Sequence, residues 1–401
     1  MRAFIMAAGE GTRMWPLTER RPKPLIPLAN RPIVEHIMGA VVDAGIRKIT
    51  ILIGYEGRKI AARYGYSYRN AKIDYIYQER RLGTGHAALH AEKYKEEKIL
   101  FINGDLYFDA EIIKEMIKHE NAVLGVHKED ASQYGILRGE ERLERIEEKV
   151  KGARNEWING GIYILTRDIF EYLHRTKPSP RGEIELTDAL NMMAKEREID
   201  IIRHNGRWID IGRPWDLLTA TQEYMKNMEE ENLGVVEDNV VIKGKVRIGK
   251  GTVIKSGTYI EGPVLIGENC KIGPNAYIRP YTVLGDECHV GNSSEIKASV
   301  IMRGTKIPHF NYVGDSVIGE NCNLGAGTKI ANLRLDERNI KVYVKGKLED
   351  TGRRKLGVIM GDEVHTGINV SIDVGTMIGS GVHIAPGAVV RGVISARTRV
   401  Y

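Results

Sequence analysis

The chain has 401 residues, 42% hydrophobic and 28% charged, with 44 Gly, 13 Pro and a formal net charge of +6. That length predicts two or three globular domains, and the modest positive charge suits anionic small substrates better than a nucleic-acid partner. No segment approaches the ~20 apolar residues of a membrane span, and the opening run MRAFIMAAGEGTRM meets glycines too early for a signal peptide. Cys270, Cys288 and Cys322 are an odd, small set that argues for a reducing cytoplasm and against a disulfide framework.

Residues 1 to about 220 alternate strand and helix patterns. RAFIMAA, KITILIG, KIDYIYQ and KILFINGD are short β-branched runs of the buried parallel type. Helical periodicity lies between them, at 32–45, after Gly57 and at 85–94. The order predicts an α/β, Rossmann-like domain with a mostly parallel sheet, and ligands gather at the carboxyl ends of such strands. AAGEGTR and NGD both fall there. Residues 216–232 read as a closing helix that runs into a charged linker.

From Val240 the pattern becomes hexads. Ile242, Ile248, Ile254, Ile260, Ile266, Ile272, Ile278, Leu284, Val290, Ile296 and Met302 fall every sixth residue, with small or β-branched residues four places after each of the first ten. This is the signature of a parallel β-helix with three short strands per coil. It puts Cys270 and Cys288 in the small-residue phase, stacked on one wall, and gives Cys322 the same phase before Leu324. The repeat slips between Lys306 and Asp315, recovers at Ile318, is interrupted by 333–357 and resumes at Met360. The interruption carries eight Lys or Arg against four acids, and loops expelled from a repeat scaffold commonly carry function. The predicted division is an α/β domain over 1–222, a helix end and linker over 223–238, and a β-helix over 239–401 with the basic loop 333–357 inserted.

In AAGEGTRMWPLTERRPKPLIP (7–27), the Gly9–Gly11 turn lets backbone N–H groups approach phosphate oxygens. Arg13 supplies a planar cation, and Lys23 a point charge in a Pro-stiffened segment. It is neither a Walker A loop nor a dinucleotide fingerprint. The segment resembles the G-x-G-T-R…K-P opening of the sugar-1-phosphate nucleotidylyltransferases, and later landmarks follow in order. These are QERRLGTGHA (78–87), NGD (103–105), Tyr134-Gly135, Glu147–Lys149, Asn159-Gly160-Gly161 and RWIDIGRPWDL (207–217).

The resemblance implies that Ala7, Ala8, Gly9, Gly11, Thr12, Gln78, Gly83, Thr84 and Gly104 hold a pyrimidine nucleotide, UTP or dTTP, with Gln78 on the base. It implies catalytic roles for Arg13 and Lys23, and Mg²⁺ on Asp105 and Asp210. Gly135, Glu147, Lys149 and Asn159 are implied in holding the sugar phosphate. His86 reads as a helix-start residue. Attack of one anion on another's α-phosphorus needs this charge neutralisation and no covalent nucleophile.

The β-helix resembles the left-handed prism of hexapeptide-repeat acyltransferases. From Arg279 it is similar to the acetyltransferase half of the bifunctional enzyme that makes UDP-N-acetylglucosamine. Arg279-Pro280, Glu295-Ile296-Lys297, His309 with Tyr312–Asp315, Asn323–Thr328 and Asn332 recur in its order. Acetyl transfer from acetyl-CoA to an amino-sugar 1-phosphate needs a base, and histidine titrates nearest neutrality, so the resemblance makes His309 catalytic. It gives Arg279 and Lys297 to the sugar's phosphate, and Tyr312, Asn323, Ala326 and Asn332 to the sugar or acetyl-CoA. Such prisms associate in threes, so a homotrimer is expected, without a nucleic-acid or membrane partner.

Two departures from the bacterial pattern stand out: Leu333 follows the last Asn where Tyr is usual, and the 333–357 loop is longer. The opening MWPLTERRPKPLIP is closer to the thymidylyl- and uridylyltransferases that act on glucose 1-phosphate. The combination resembles the archaeal type of bifunctional enzyme. The alternatives are a single nucleotidylyltransferase activity with a structural β-helix, and a non-catalytic regulatory homologue. Intact Arg13, Lys23, Asp105 and Asp210 speak against the latter.

Overall fold

A computed structural model describes residues 1–401 except Arg181. The chain divides into two compact units, one of Met1–Glu10, Pro22–Leu25 and Ile33–Asp210, the other of Gly11–Arg21, Ile26–Pro32 and Ile211–Tyr401.

The first unit is built on a mixed sheet whose parallel heart is Lys98–Asn103, Arg2–Met6, Lys48–Ile53 and Ala71–Tyr77, side by side in that order. These strands carry unbroken apolar runs because both faces are covered; Phe4, Ile5, Ile51, Leu52, Phe101 and Ile102 are all fully buried. Chain order reverses at Arg2–Met6, so the loops leaving it and Lys98–Asn103 diverge and open a crevice at their carboxyl ends. Antiparallel strands Arg154–Thr166, Gly135–Arg138 and Arg145–Glu148 extend the sheet beyond Lys98–Asn103. The helix expected over 85–94 covers only Thr84–Leu89 and passes into turns.

The second unit is dominated by three parallel sheets of two- and three-residue strands, nine, nine and eight deep, the arrangement of the hexapeptide-repeat β-helix. Each face sends one aliphatic side chain per coil inward, and Ile248 through Val390 form one continuous core. The closing helix ends at Lys226, and Glu231–Asn232 and Val235–Val236 already pair with the next coil.

The register corrects the sequence reading at one point. Ile266 pairs with Leu284, a full coil of eighteen, but Leu284 pairs with Ile301 and Ile301 with Ile318. The inward residue is therefore Ile301 and not Met302, and the slip expected at 306–315 is two single-residue deletions at 297–300 and 314–317. Both lie on the same corner of stacked coils. Each is closed by a serine whose hydroxyl donates to the carbonyl two residues back, Ser299 to Lys297 at 2.7 Å and Ser316 to Gly314 at 2.8 Å. Asp315 takes φ 49°. The step from Ile307 to Val313, which holds His309, is a full hexad.

The basic insertion leaves from this same corner. It forms a hairpin of Lys341–Val344 with Lys347–Asp350, anchored by buried Ile340, Val342 and Val344 and by an Arg213–Glu349 pair at 2.8 Å.

Segment Gly11–Arg21 is held within the second unit. Arg21, 8% exposed, donates to Asp362 at 2.6 Å, pairs with Glu320 at 3.2 Å and meets Met302 Sδ at 3.1 Å. The Ser380 N–H donates to Glu19 at 2.6 Å.

The cysteines occupy one wall as expected. Thr252, Cys270, Cys288, Thr305 and Cys322 stack, and each hydroxyl or thiol donates to a carbonyl of the next coil, as Cys270 does to Gly285 at 3.1 Å and Cys322 to Gly361 at 3.1 Å. Burial pushes the thiols of Cys270 up to about 11 and Cys322 up to about 12, and raises that of Cys288. Thiolate is the reactive form. The native protein should therefore leave an aromatic disulfide reagent unconsumed at pH 8 and titrate three thiols in guanidinium. Rapid reaction in the native state would contradict this packing.

Candidate active sites

A cavity of about 310 Å³ opens at the reversal point of the first unit, lined by Ala8, Gly9, Gln78, Gly83, Thr84 and Asp105 among others. Six expected nucleotide or metal residues are thus gathered in one place. Ala7 and Gly104 are chain neighbours of the lining residues Met6, Ala8, Asn103 and Asp105, and the Gly104 N–H donates to Met6 O at 3.0 Å. A Cβ at Gly104 would stand 2.8 Å from Ala7 Cα, so only glycine lets the two loops meet. Arg81, Asn103, Glu183 and Glu185 also line the cavity. Asn103 was legible as part of the quoted NGD; the acids carried no signal.

Lys23, 8% exposed, donates to Asp105 Oδ2 at 2.6 Å. A buried ammonium needs such a partner. Antiparallel pairing of Trp208–Asp210 with Leu106–Phe108 sets Asp210 opposite Leu106, one residue from Asp105. Asp105 lies just outside that ladder and lines the cavity, and a Mg²⁺ ion takes as few as one or two protein carboxylates beside water and phosphate oxygens. Gly11, Thr12 and Arg13 lie in the second unit, where Gly11 takes φ 64° and Thr12 and Arg13 are exposed.

The expected sugar residues divide. Strand Arg154–Thr166 bulges between Asn159 and Tyr163, an arrangement that re-aims side chains. Asn159 donates to Tyr163 OH at 2.8 Å and accepts from the Gly161 N–H at 3.1 Å. Gly161 has φ 70°, and a Cβ there would meet Asn103 Nδ2 at 2.4 Å. Glu148 lies against Gly135, its Oε1 2.9 Å from where a Cβ would stand, and its charge helps raise the Tyr163 hydroxyl behind the larger effect of burial. Trp208 donates to Gly160 O at 2.9 Å and meets Tyr134 edge-on.

Glu147 faces the other way, bound to Arg138 at 2.8 Å and Arg145 at 2.9 Å. Strand alternation explains this: two neighbouring glutamates point to opposite faces, and Glu148 takes the side of Gly135 and Tyr163. Lys149 lines a separate cavity of about 400 Å³ with Asp130, Ser132, Lys151 and Arg154.

On the β-helix, one face gathers Arg279, Lys297, Tyr312 and Asn332. Lys297 pairs with Asp315 at 3.2 Å, and Asn332 donates to the same carboxylate oxygen at 2.5 Å. Tyr312 OH and Asn332 Nδ2 crowd Gly314, and burial, with Glu295 and Asp315 nearby, raises the Tyr312 hydroxyl. Arg279 donates to Glu295 at 2.7 Å while its Nε is buried without a partner. The inserted loop returns Arg353, Arg354 and Lys355 to Asp315 and Leu333 around a cavity of about 550 Å³. The loop's basic excess was visible in the sequence; its return to this corner was not.

His309 is not in this group. It is exposed at the other edge of the same face, with strand Tyr312–Gly314 between, and its carbonyl accepts from the Gly327 N–H at 3.0 Å beside Ala326. Asn323 lies on the neighbouring face, paired with Lys306 and His365.

Among the described residues, no helix is long and apolar enough to cross a membrane. A nucleotidyl transferase family model matches residues 2–227, and a GMPPB C-terminal domain model matches residues 260–398. The crystal structure of UDP-glucose pyrophosphorylase complexed with UDP-glucose superposes with a TM-score of 0.52 at 27% identity, covering 57% of this chain and 99% of that one. The bifunctional protein GlmU of Methanocaldococcus jannaschii is 44% identical over all of this chain and 97% of its own. The bifunctional sugar-1-phosphate nucleotidylyltransferase/acetyltransferase of Sulfurisphaera tokodaii is 46% identical over 97% of each. Similarity that runs unbroken through both halves settles between the three sequence readings: the chain belongs to the family of bifunctional sugar-1-phosphate nucleotidylyltransferase/acetyltransferases of the archaeal GlmU type.

Proposed function

We propose that the β-helix N-acetylates glucosamine 1-phosphate with acetyl-CoA, and that the first unit transfers a uridylyl group from UTP to the N-acetylated product and releases pyrophosphate. The observation that carries the acetyltransferase half is the corner shortened twice. A spacer would keep coils of eighteen, whereas here the deletions and the loop exit converge on Lys297, Asp315 and Asn332. Galactosamine 1-phosphate, glucose 1-phosphate and dTTP belong to the same substrate classes, and parallel assays separate them.

In acetylation, Arg279 and Lys297 take the sugar's phosphate, and the unpartnered Arg279 Nε is a donor waiting for an anion. Tyr312 and Asn332 orient hydroxyls. His309 removes the proton from the amine, whose nitrogen bonds the thioester carbon as the C–S bond breaks and coenzyme A leaves with a proton. Asn323 and the backbone around Ala326 receive the acetyl donor. Since His309 and the cationic cluster stand at opposite edges of one face, we propose a homotrimer in which the edge of one copy faces the cluster of another.

In uridylyl transfer, a sugar-phosphate oxygen forms a bond to the α-phosphorus while the bond to pyrophosphate breaks. Mg²⁺ on Asp105 and Asp210 would neutralise phosphate oxygens when bound. Lys23 stays paired with Asp105 until a phosphate takes its ammonium. Arg13 stabilises charge on the departing pyrophosphate, Gln78 reads the base, and Gly83 and Thr84 pack beneath it. Asn159, Gly135 and Glu148, in place of Glu147, hold the sugar. A reducing cytoplasm suits the three free thiols.

His309→Ala should lower acetyl transfer to glucosamine 1-phosphate by about 10²-fold or more and leave pyrophosphate release intact. Asp105→Ala should do the reverse; loss of both activities in either variant would falsify the two-site assignment. Glu148→Gln should raise KM for N-acetylglucosamine 1-phosphate by about tenfold, and Glu147→Gln should leave it unchanged. Steady-state kinetics on the pair distinguishes the two glutamates, and an effect confined to Glu147 would reverse the assignment.

A further inference from the structure

His86 was read from the sequence as a helix-start residue, and uridylyl transfer as described above gives it no part. Gln78 sits at the end of strand Ala71–Tyr77, 5% exposed, its backbone N–H bound to Ile53 O at 2.8 Å. Its side-chain Nε2 lies 2.9 Å from His86 Nδ1 on the following helix. Among the described residues its Oε1 makes no hydrogen bond, and Gln78 lines the cavity shared with Gly83, Thr84 and Asp105. His86 packs edge-on against His90, with centroids 5.0 Å apart. Burial pulls both imidazoles below their ordinary value and favours the uncharged ring; in its Nε2–H tautomer the His86 Nδ1 accepts from the Gln78 Nε2 that faces it.

With His86 in that tautomer the amide has one orientation: Nε2 faces His86, and Oε1 faces the cavity as an acceptor. Uracil and thymine present N3–H, a donor, on their pairing edge; cytosine presents N3 as an acceptor. We propose that His86 is a specificity-determining positioning residue, which fixes the Gln78 amide so that the cavity accepts bases carrying an imide N–H and rejects cytosine. With the amide free to rotate, Gln78 could donate to cytosine N3 as readily as it accepts from uracil N3–H, and discrimination between the two would fall. The inference rests on the reading of Gln78 as the base-contacting residue.

The test uses the full-length chain with N-acetylglucosamine 1-phosphate and compares kcat/KM for UTP and CTP in wild type, His86→Ala, His86→Asn and Gln78→Ala. The expected result is a UTP preference in wild type that drops about tenfold in His86→Ala, the worth of one oriented hydrogen bond. His86→Asn, whose Oδ1 can still accept, should keep most of the preference. Acetyl transfer, measured in the same preparations, should be unchanged and reports that each variant is folded. A His86→Ala protein that loses UTP and CTP turnover equally, or keeps the wild-type ratio, overturns the role of His86. A Gln78→Ala protein with the wild-type ratio overturns the base-reading assignment itself. Should His86→Ala fail to fold, loss of the ratio in a folded His86→Asn counts against the inference and retention supports it.

Discussion

Each coil of the β-helix finds its backbone partners only in the coils above and below, and that constraint governs the second unit. A strand of two residues has no stability alone. It persists because the next coil repeats its phase, so that carbonyls, hydroxyls and aliphatic side chains meet their equivalents. The Thr252–Cys270–Cys288–Thr305–Cys322 column shows how strict this is, with each polar hydrogen spent on the neighbouring coil. Residues can be removed or inserted only at corners, where the inward register is not interrupted. The molecule uses a single corner for both deletions and for the 333–357 insertion, and that corner carries the Lys297–Asp315–Asn332 cluster. Rigid faces hold the charged groups, and irregular backbone is confined to the corner beside them.

The first unit obeys a different constraint. A strand between neighbours that lead opposite ways leaves a crevice, and glycine at position 104 lets the two bordering loops close to van der Waals distance. Asp105 lines that opening with buried Lys23 as its partner, and Asp210 pairs opposite the residue that follows it. Such a site works by position and charge, as expected for chemistry that neutralises phosphate charge without a covalent nucleophile.

Much of this was legible in the sequence, for physical reasons. Hexads of aliphatic residues have one structural meaning, and a glycine-rich turn after a strand, with Arg13 and Lys23 behind it, has few. What escaped the sequence depends on small offsets. Ile301 and Met302 are both apolar, so composition could not locate the deletion; only the pairing with Leu284 does. Glu147 and Glu148 differ by one step along a strand, which sends one to Arg138 and Arg145 and the other towards Gly135 and Tyr163. The helix near residue 85 was overestimated, since alanines favour helix beyond the point where tertiary packing ends it. Arg353 and Asp315 are brought together by a loop whose return path no local pattern encodes.

Segment Gly11–Arg21 follows strand Arg2–Met6 and the turn after it in sequence, but its Arg21 finds its carboxylates, Asp362 and Glu320, in the C-terminal half. The two halves therefore do not partition as their family resemblances do. A gene cut at the natural-looking linker would leave Arg21 with its charge and no counterion, on the loop that carries Arg13. Modular inheritance, in which either half is exchanged for a foreign homologue, is thereby discouraged at the level of a single guanidinium. The two activities are bound into one evolutionary unit by a contact that belongs to neither reaction.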